Sequence, residues 1–117
     1  MTEHEEQVAL MRLVDMHKGR WPELGMLYAV PNGGDRHPAV AAKLRAEGVK
    51  AGVPDLCLPV PRGGYHGLYV EMKRQGKSTT SAVQKAWVHA LKHQGYRAEV
   101  CKGATEAWEV IQEYMRA

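Results

Sequence analysis

Hydrophobic and polar positions along this chain change period several times, and each change marks an element. Val8, Met11 and Val14, with Leu10 and Leu13, recur at helical spacing as far as Gly19. Thr2-Glu3-His4-Glu5 ahead of them reads as a capping box, with Thr2 at the N-cap and Glu5 at N3. Leu24 to Val30 reads as a strand stopped by Pro31-Asn32-Gly33-Gly34, and His37-Pro38 opens a short helix with Pro38 at its first position, running to Gly48. Two short apolar runs follow, Leu56 to Val60 and Leu68 to Met72, joined by the turn-rich stretch Pro61 to Gly67, so a hairpin is the economical reading. Ser81-Ala82-Val83-Gln84 repeats the capping-box pattern, and Val83, Trp87 and Leu91 recur every fourth residue up to Gly95, a stripe that puts Trp87 in the core. Tyr96, Ala98 and Val100 alternate with Arg97, Glu99 and Cys101 as a further strand. Thr105 then caps a last helix whose Trp108, Ile111 and Met115 form a buried stripe.

The resulting order is helix, strand, helix, strand, strand, helix, strand, helix. It predicts an α/β protein with a mixed central sheet and helices on its faces. At 117 residues the chain is expected to form a single domain, residues 1–117, without internal repeats. A hydrophobic fraction of 44% and a charged fraction of 25% are those of a globular protein. No apolar run approaches a membrane span, and the acidic start lacks the basic and apolar regions of a signal peptide, so a cytoplasmic protein is expected. Cys57 and Cys101 fit neither a disulfide framework nor a zinc signature and read as free buried thiols.

The hairpin carries the candidate chemistry. Side chains alternate across a strand, so Leu68, Val70 and Met72 share one face, and Tyr69, Glu71 and Lys73 the other. Antiparallel pairing brings Asp55, at the start of the first run, to the same end as Glu71 and Lys73. Two carboxylates beside an ammonium suit phosphodiester hydrolysis, because oxygen donors hold Mg²⁺ or Mn²⁺ and a lysine can orient water or stabilise developing charge. The plain alternative is a surface ion pair and a Pro-Asp turn, features common in any protein.

Charge is distributed to match. The net charge is only +3, with a pI near 9.0, yet Lys50, Arg62, Lys73, Arg74, Lys77, Lys85 and Lys92 follow one another with only Asp55 and Glu71 between them. A basic surface around two isolated carboxylates draws in a polyanion while a metal is held, which makes Lys50, Arg74, Lys77 and Lys85 candidate DNA contacts. Glu3 and Glu6 share a face of the first helix, and either can point at a metal. The helix macrodipole accounts for both equally well. His4, His17, His37, His66, His89 and His93 are too scattered for a zinc site and read as exposed, with His37 and His66 in loops that could touch DNA.

Pro54-Asp55 followed by Glu71-Met72-Lys73 resembles the Pro-Asp…(Asp/Glu)-x-Lys signature of restriction-endonuclease-like nucleases. With Pro31-Asn32-Gly33-Gly34, Gly52-Val53-Pro54-Asp55 and Gln84-Lys85-Ala86-Trp87 in order, the chain is similar to the VRR-NUC branch, the virus-type replication and repair nucleases. The resemblance implies a restriction-endonuclease-like fold and a catalytic set of Asp55, Glu71, Lys73 and Gln84. Asp55, Glu71 and the Met72 carbonyl would hold Mg²⁺ or Mn²⁺, with a first-helix glutamate completing the site. Glu3 fits that place better than Glu6, because it stands four before Gln7. The Asn32 loop would flank the site and touch DNA. Gln84 either caps its helix or reaches back to the water or a phosphate. Similarity to viral and bacterial stand-alone forms implies a homodimer that cuts four-way (Holliday) junctions, in the host cytoplasm if the chain is virus-encoded. Cleavage of flaps or duplex, or binding without cleavage, are the rival expectations.

Overall fold

Thr2 opens the first helix, α1 (Glu3–Met16), with the capping box its sequence predicts: the Thr2 hydroxyl accepts from the Glu5 N–H at 3.1 Å, and the Glu5 carboxylate accepts from the Thr2 N–H at 2.9 Å. In this computed structural model, residues 1–31 and 37–117 are described. The helix ends before the expected Gly19, with His17 as its C-cap.

The segment expected as a strand from Leu24 to Val30 folds differently. Pro22–Met26 is a 3-10 helix, and only Tyr28–Ala29 pairs, as β1. The buried residues there are Leu24 and Leu27, three apart, which is the repeat of a 3-10 turn rather than of a strand. Helix α2 (Pro38–Ala46) starts at Pro38 as expected, with the His37 ring accepting from the Ala39 N–H.

The hairpin forms between β2 (Leu56–Leu58) and β3 (Leu68–Lys73). β2 stops short of the expected Val60 because Pro59 and Pro61 have no N–H to give to a ladder. Helix α3 (Ala82–His93), strand β4 (Arg97–Lys102) and helix α4 (Ala104–Arg116) complete the order. The sheet runs β1-β2-β3-β4, antiparallel across the first two junctions and parallel between β3 and β4.

Register divides the sheet into two faces. Leu56 opposes Val70 and Leu58 opposes Leu68, and these side chains, with Met72 and Cys101, pack on Leu10 and Val14 of α1 and on Trp108, Ile111 and Tyr114 of α4. The opposite face carries Tyr69, Glu71 and Lys73 and receives α3. α3 buries only Leu91 of its expected stripe. Trp87 is half-buried and lies outside the core, and Val83 is exposed. The first half of α3 leans on the Gly52 loop instead: Gly52 has φ +88, and a Cβ there would come within 2.9 Å of the Val83 methyls.

Thr105 does not cap α4. The N-cap is Gly103, and the first N–H, of Ala104, donates to the buried Glu6 carboxylate of α1 at 3.0 Å, while the Glu106 carboxylate accepts from the Lys102 N–H. Both cysteines are free and buried, and burial pushes the Cys101 thiol up to about 12. No helix among the described residues is long and apolar enough to cross a membrane.

Candidate active site

The site assembles where the β2–β3 ladder ends. One step beyond the Leu56–Val70 pair, the chain replaces a backbone acceptor with a side chain: the Met72 N–H donates to Asp55 Oδ2 at 2.7 Å. The Asp55 carbonyl in turn accepts from the Val30 N–H at 2.7 Å, which ties the loop after β1 to the same residue. Asp55 is therefore fixed at both its backbone and its carboxylate.

Glu71 and Lys73 lie beside it on the α3 face, 2% and 6% exposed. Their charged atoms are 3.8 Å apart, and Gln84 closes the gap. Its amide nitrogen donates to Glu71 Oε2 at 3.0 Å, and its amide oxygen accepts from Lys73 Nζ at 2.9 Å. The same oxygen accepts from the Ser81 N–H at 2.9 Å, so Gln84 both caps α3 and reaches into the site. The capping role expected from the sequence is present, and the same side chain also contacts Glu71 and Lys73.

Electrostatics mark this as a site that favours positive charge. The Glu71 carboxyl is pushed up to about 8, first by burial, then by the negative charge of Asp55 and a hydrogen bond with it. Lys73 opposes the shift, and Glu3 adds to it. Glu3 thus stands within electrostatic reach of Glu71. It also lines, with Asp55, Gln7, Val8, Met11 and Arg12, a cavity of about 460 Å³ along α1. Glu6 does not share that cavity, because its carboxylate is spent on the first turn of α4.

Among the described residues, no cluster of three or more His, Cys, Asp and Glu side chains is gathered closely enough to hold a metal ion. The donor chemistry nonetheless fits a hard divalent cation. Asp55 and Glu71 offer carboxylate oxygens, and a cation between them would offset both the burial and the Asp55 repulsion that push the Glu71 carboxyl up. In an extended strand the N–H and C=O of one residue face the same edge, so the Met72 carbonyl points to the side where its N–H meets Asp55.

The family described as the VRR-NUC domain matches residues 2–105. The chain belongs to the VRR-NUC family. A solved structure titled "VRR_NUC domain protein" is 36% identical to it, with 99% of this chain and 89% of that one covered and a TM-score of 0.85. None of the curated proteins compared with it matches. The VRR-NUC assignment makes this a chain of nuclease type with the restriction-endonuclease-like α/β fold that the hairpin signature led to, in a family that generally uses divalent metals.

The other candidate residues fall in several places. Lys50 is exposed and borders a cleft with Trp87, Val49 and Val53. Arg74 and Lys77 are exposed in the β3–α3 loop, and Lys85 lies on α3 directly after Gln84. Asn32 lies outside the described residues. His66 is placed at the opposite end of β3 from Lys73, where its N–H donates to the Gly95 carbonyl, so it does not flank the site. Arg12 and His4, which no motif in the sequence singles out, line the α1 cavity. The signal that could have found Arg12 is the helical repeat that runs from Glu3 through Gln7 to Met11 beside it.

Proposed function

We propose that this VRR-NUC protein is a divalent-metal-dependent, structure-selective DNA endonuclease that acts as a homodimer on four-way junctions. The observation that carries the catalytic reading is the Gln84 bridge: one amide joins a buried glutamate to a buried lysine beside a fixed aspartate. A solvated surface ion pair has no such ties. Junction choice and the dimer rest on likeness to stand-alone members of the family.

In this reading Asp55, Glu71 and the Met72 carbonyl hold Mg²⁺ or Mn²⁺, and Glu3 stands by to complete the set. The chemistry such a cation supplies is Lewis acidity at the phosphoryl oxygen and a lowered pKa for the attacking water. Lys73, its ammonium aimed by Gln84, orients that water and stabilises the negative charge that develops on the phosphate. Lys50, Arg74, Lys77 and Lys85 attract the backbone. Paired sites in a two-fold dimer would make symmetric nicks.

The test is cleavage of a labelled four-way junction beside matched duplex, flap and single strand, with Mg²⁺, Mn²⁺ or EDTA, by wild type, Asp55→Asn and Lys73→Ala. Metal-dependent paired nicks confined to the junction, absent from both variants, are expected. Cleavage spread over the panel keeps the chemistry and removes the junction specificity. Binding without cleavage under every metal leaves a DNA-binding module.

A further inference from the structure

We infer that the groove between α3 and β4 holds the sugar–phosphate backbone of the DNA arm flanking the cleaved bond. That role rests on the nuclease reading above and adds the direction in which the substrate leaves the site.

The groove has a volume of about 360 Å³ and is lined by Thr80, Lys85, Val88, His89, Lys92 and Val100. Among the described residues, no carboxylate lines it, and neither Lys85 nor Lys92 takes part in a salt bridge. Val88 and Val100 give it an apolar floor, while Thr80 and the three nitrogen-bearing side chains supply hydrogen-bond donors around the rim. Lys85, His89 and Lys92 recur at helical spacing along one side of α3. At a rise of 1.5 Å per residue they span about 10 Å, the axial length of about three phosphates of one strand. The His93 ring stacks on His89 with centroids 6.3 Å apart and extends the same side.

Continuity with the site fixes the register. Gln84 touches Glu71, and Lys85 is the next residue, so the helix that completes the catalytic centre also carries the row of donors away from it. The cavity that opens on Asp55 runs along α1 and sets Glu3, Asp15 and Asp55 against Arg12 and His4. With Asp15 paired to Lys18, that lining still mixes Glu3 and Asp55 with Arg12 and attracts a polyanion less than the α3 groove, which no carboxylate among the described residues lines. The cleft beside Trp87 balances Lys50 with Glu47 and offers no net charge. The backbone therefore leaves along α3.

The experiment measures binding of a fluorescently labelled four-way junction to the full chain in EDTA over a range of KCl concentrations, and cleavage kinetics in Mg²⁺. For Lys85→Ala combined with Lys92→Ala, the slope of log K against log salt is expected to fall by roughly 1.8, about 0.9 for each phosphate no longer neutralised. KM should rise several-fold with kcat held, a split that loss of folding does not produce. Lys85→Arg with Lys92→Arg should restore the slope, and Lys18→Ala, whose ammonium pairs with Asp15 on α1, should leave slope and KM at wild-type values. A double alanine variant with wild-type slope and KM overturns the groove and leaves the nuclease standing. A wild type that neither binds nor cuts the junction overturns both.

Discussion

Helices α3 and α4 have 12 and 13 residues and pack on opposite faces of one sheet, yet one serves the site and the other the core. α4 buries Ala104, Ala107, Trp108, Ile111, Tyr114 and Met115, and its N-terminus is held by a carboxylate from α1. α3 buries Leu91 alone, and its first turn is held by Ser81 and Gln84, the latter already engaged with Glu71 and Lys73. Its exposed side carries lysine and histidine, while that of α4 carries Glu106, Glu109 and Glu113. The width of the apolar stripe separates the helix that builds the core from the helix that borders the candidate site. A narrow stripe leaves polar side chains at the sheet, and those are the ones available to a substrate.

The contrast can be broken most sharply at Ile111. Ile111→Ala in α4 should lower unfolding free energy by about 2–5 kcal/mol in a urea titration, while Val83→Ala in α3 should change it by about 0.5 kcal/mol or less. Equal losses would remove the distinction. Next in size, Lys73→Ala should slow single-turnover cleavage by about 10²–10³-fold, the usual cost of losing one preorganised group at the reacting phosphate.

Glu6→Gln should cost about 0.5–1.5 kcal/mol of stability, because a neutral amide oxygen replaces a charged acceptor at the first turn of α4, and should leave the metal dependence of cleavage as in wild type. Glu3→Gln should do the reverse, weakening metal dependence with little change in melting temperature. An exchange of those results would return the metal role to Glu6.

An independent test concerns pH. Glu71 is raised from an ordinary 4.5 to about 8, so the folded protein holds a proton that the unfolded chain has released. The stability this group contributes is complete below 4.5 and declines as pH rises through about 8. Melting temperature in EDTA should fall across that window, Glu71→Gln should flatten the decline, and Mg²⁺ or Mn²⁺ should offset it at the alkaline end. A metal-free melting temperature that climbs with pH, and does so less in Glu71→Gln, would reverse the assignment.

What is legible in the sequence is mostly local. Asp55, Glu71 and Lys73 can be brought together because a hairpin and a period of two need only neighbouring residues, and both capping boxes form as their four-residue patterns imply. The Leu24–Val30 segment misleads because a short apolar run between Pro22 and Pro31 fits a strand or a 3-10 turn equally until the buried pair is known. Trp87 misleads because its stripe spacing is sound, yet of that stripe only Leu91 is buried at the sheet. The role of Glu6 is not legible at all, since its partner is 98 positions away and no local pattern announces a helix capped from elsewhere. The dual role of Gln84 is half legible: the capping box shows one part, and only the fold brings Glu71 and Lys73 within reach of the other.

The central claim is that α3, through Gln84, belongs to the catalytic centre. Gln84→Glu tests it most directly, because a glutamate at this position keeps the capping-box acceptor for the Ser81 N–H, while it replaces the donor to Glu71 with a negative charge set between Glu71 and Lys73. Single-turnover cleavage of the junction by this variant should be about 10–100-fold slower than wild type at a temperature where both are fully folded. Cleavage at the wild-type rate would reduce Gln84 to a helix cap and take α3 out of the site.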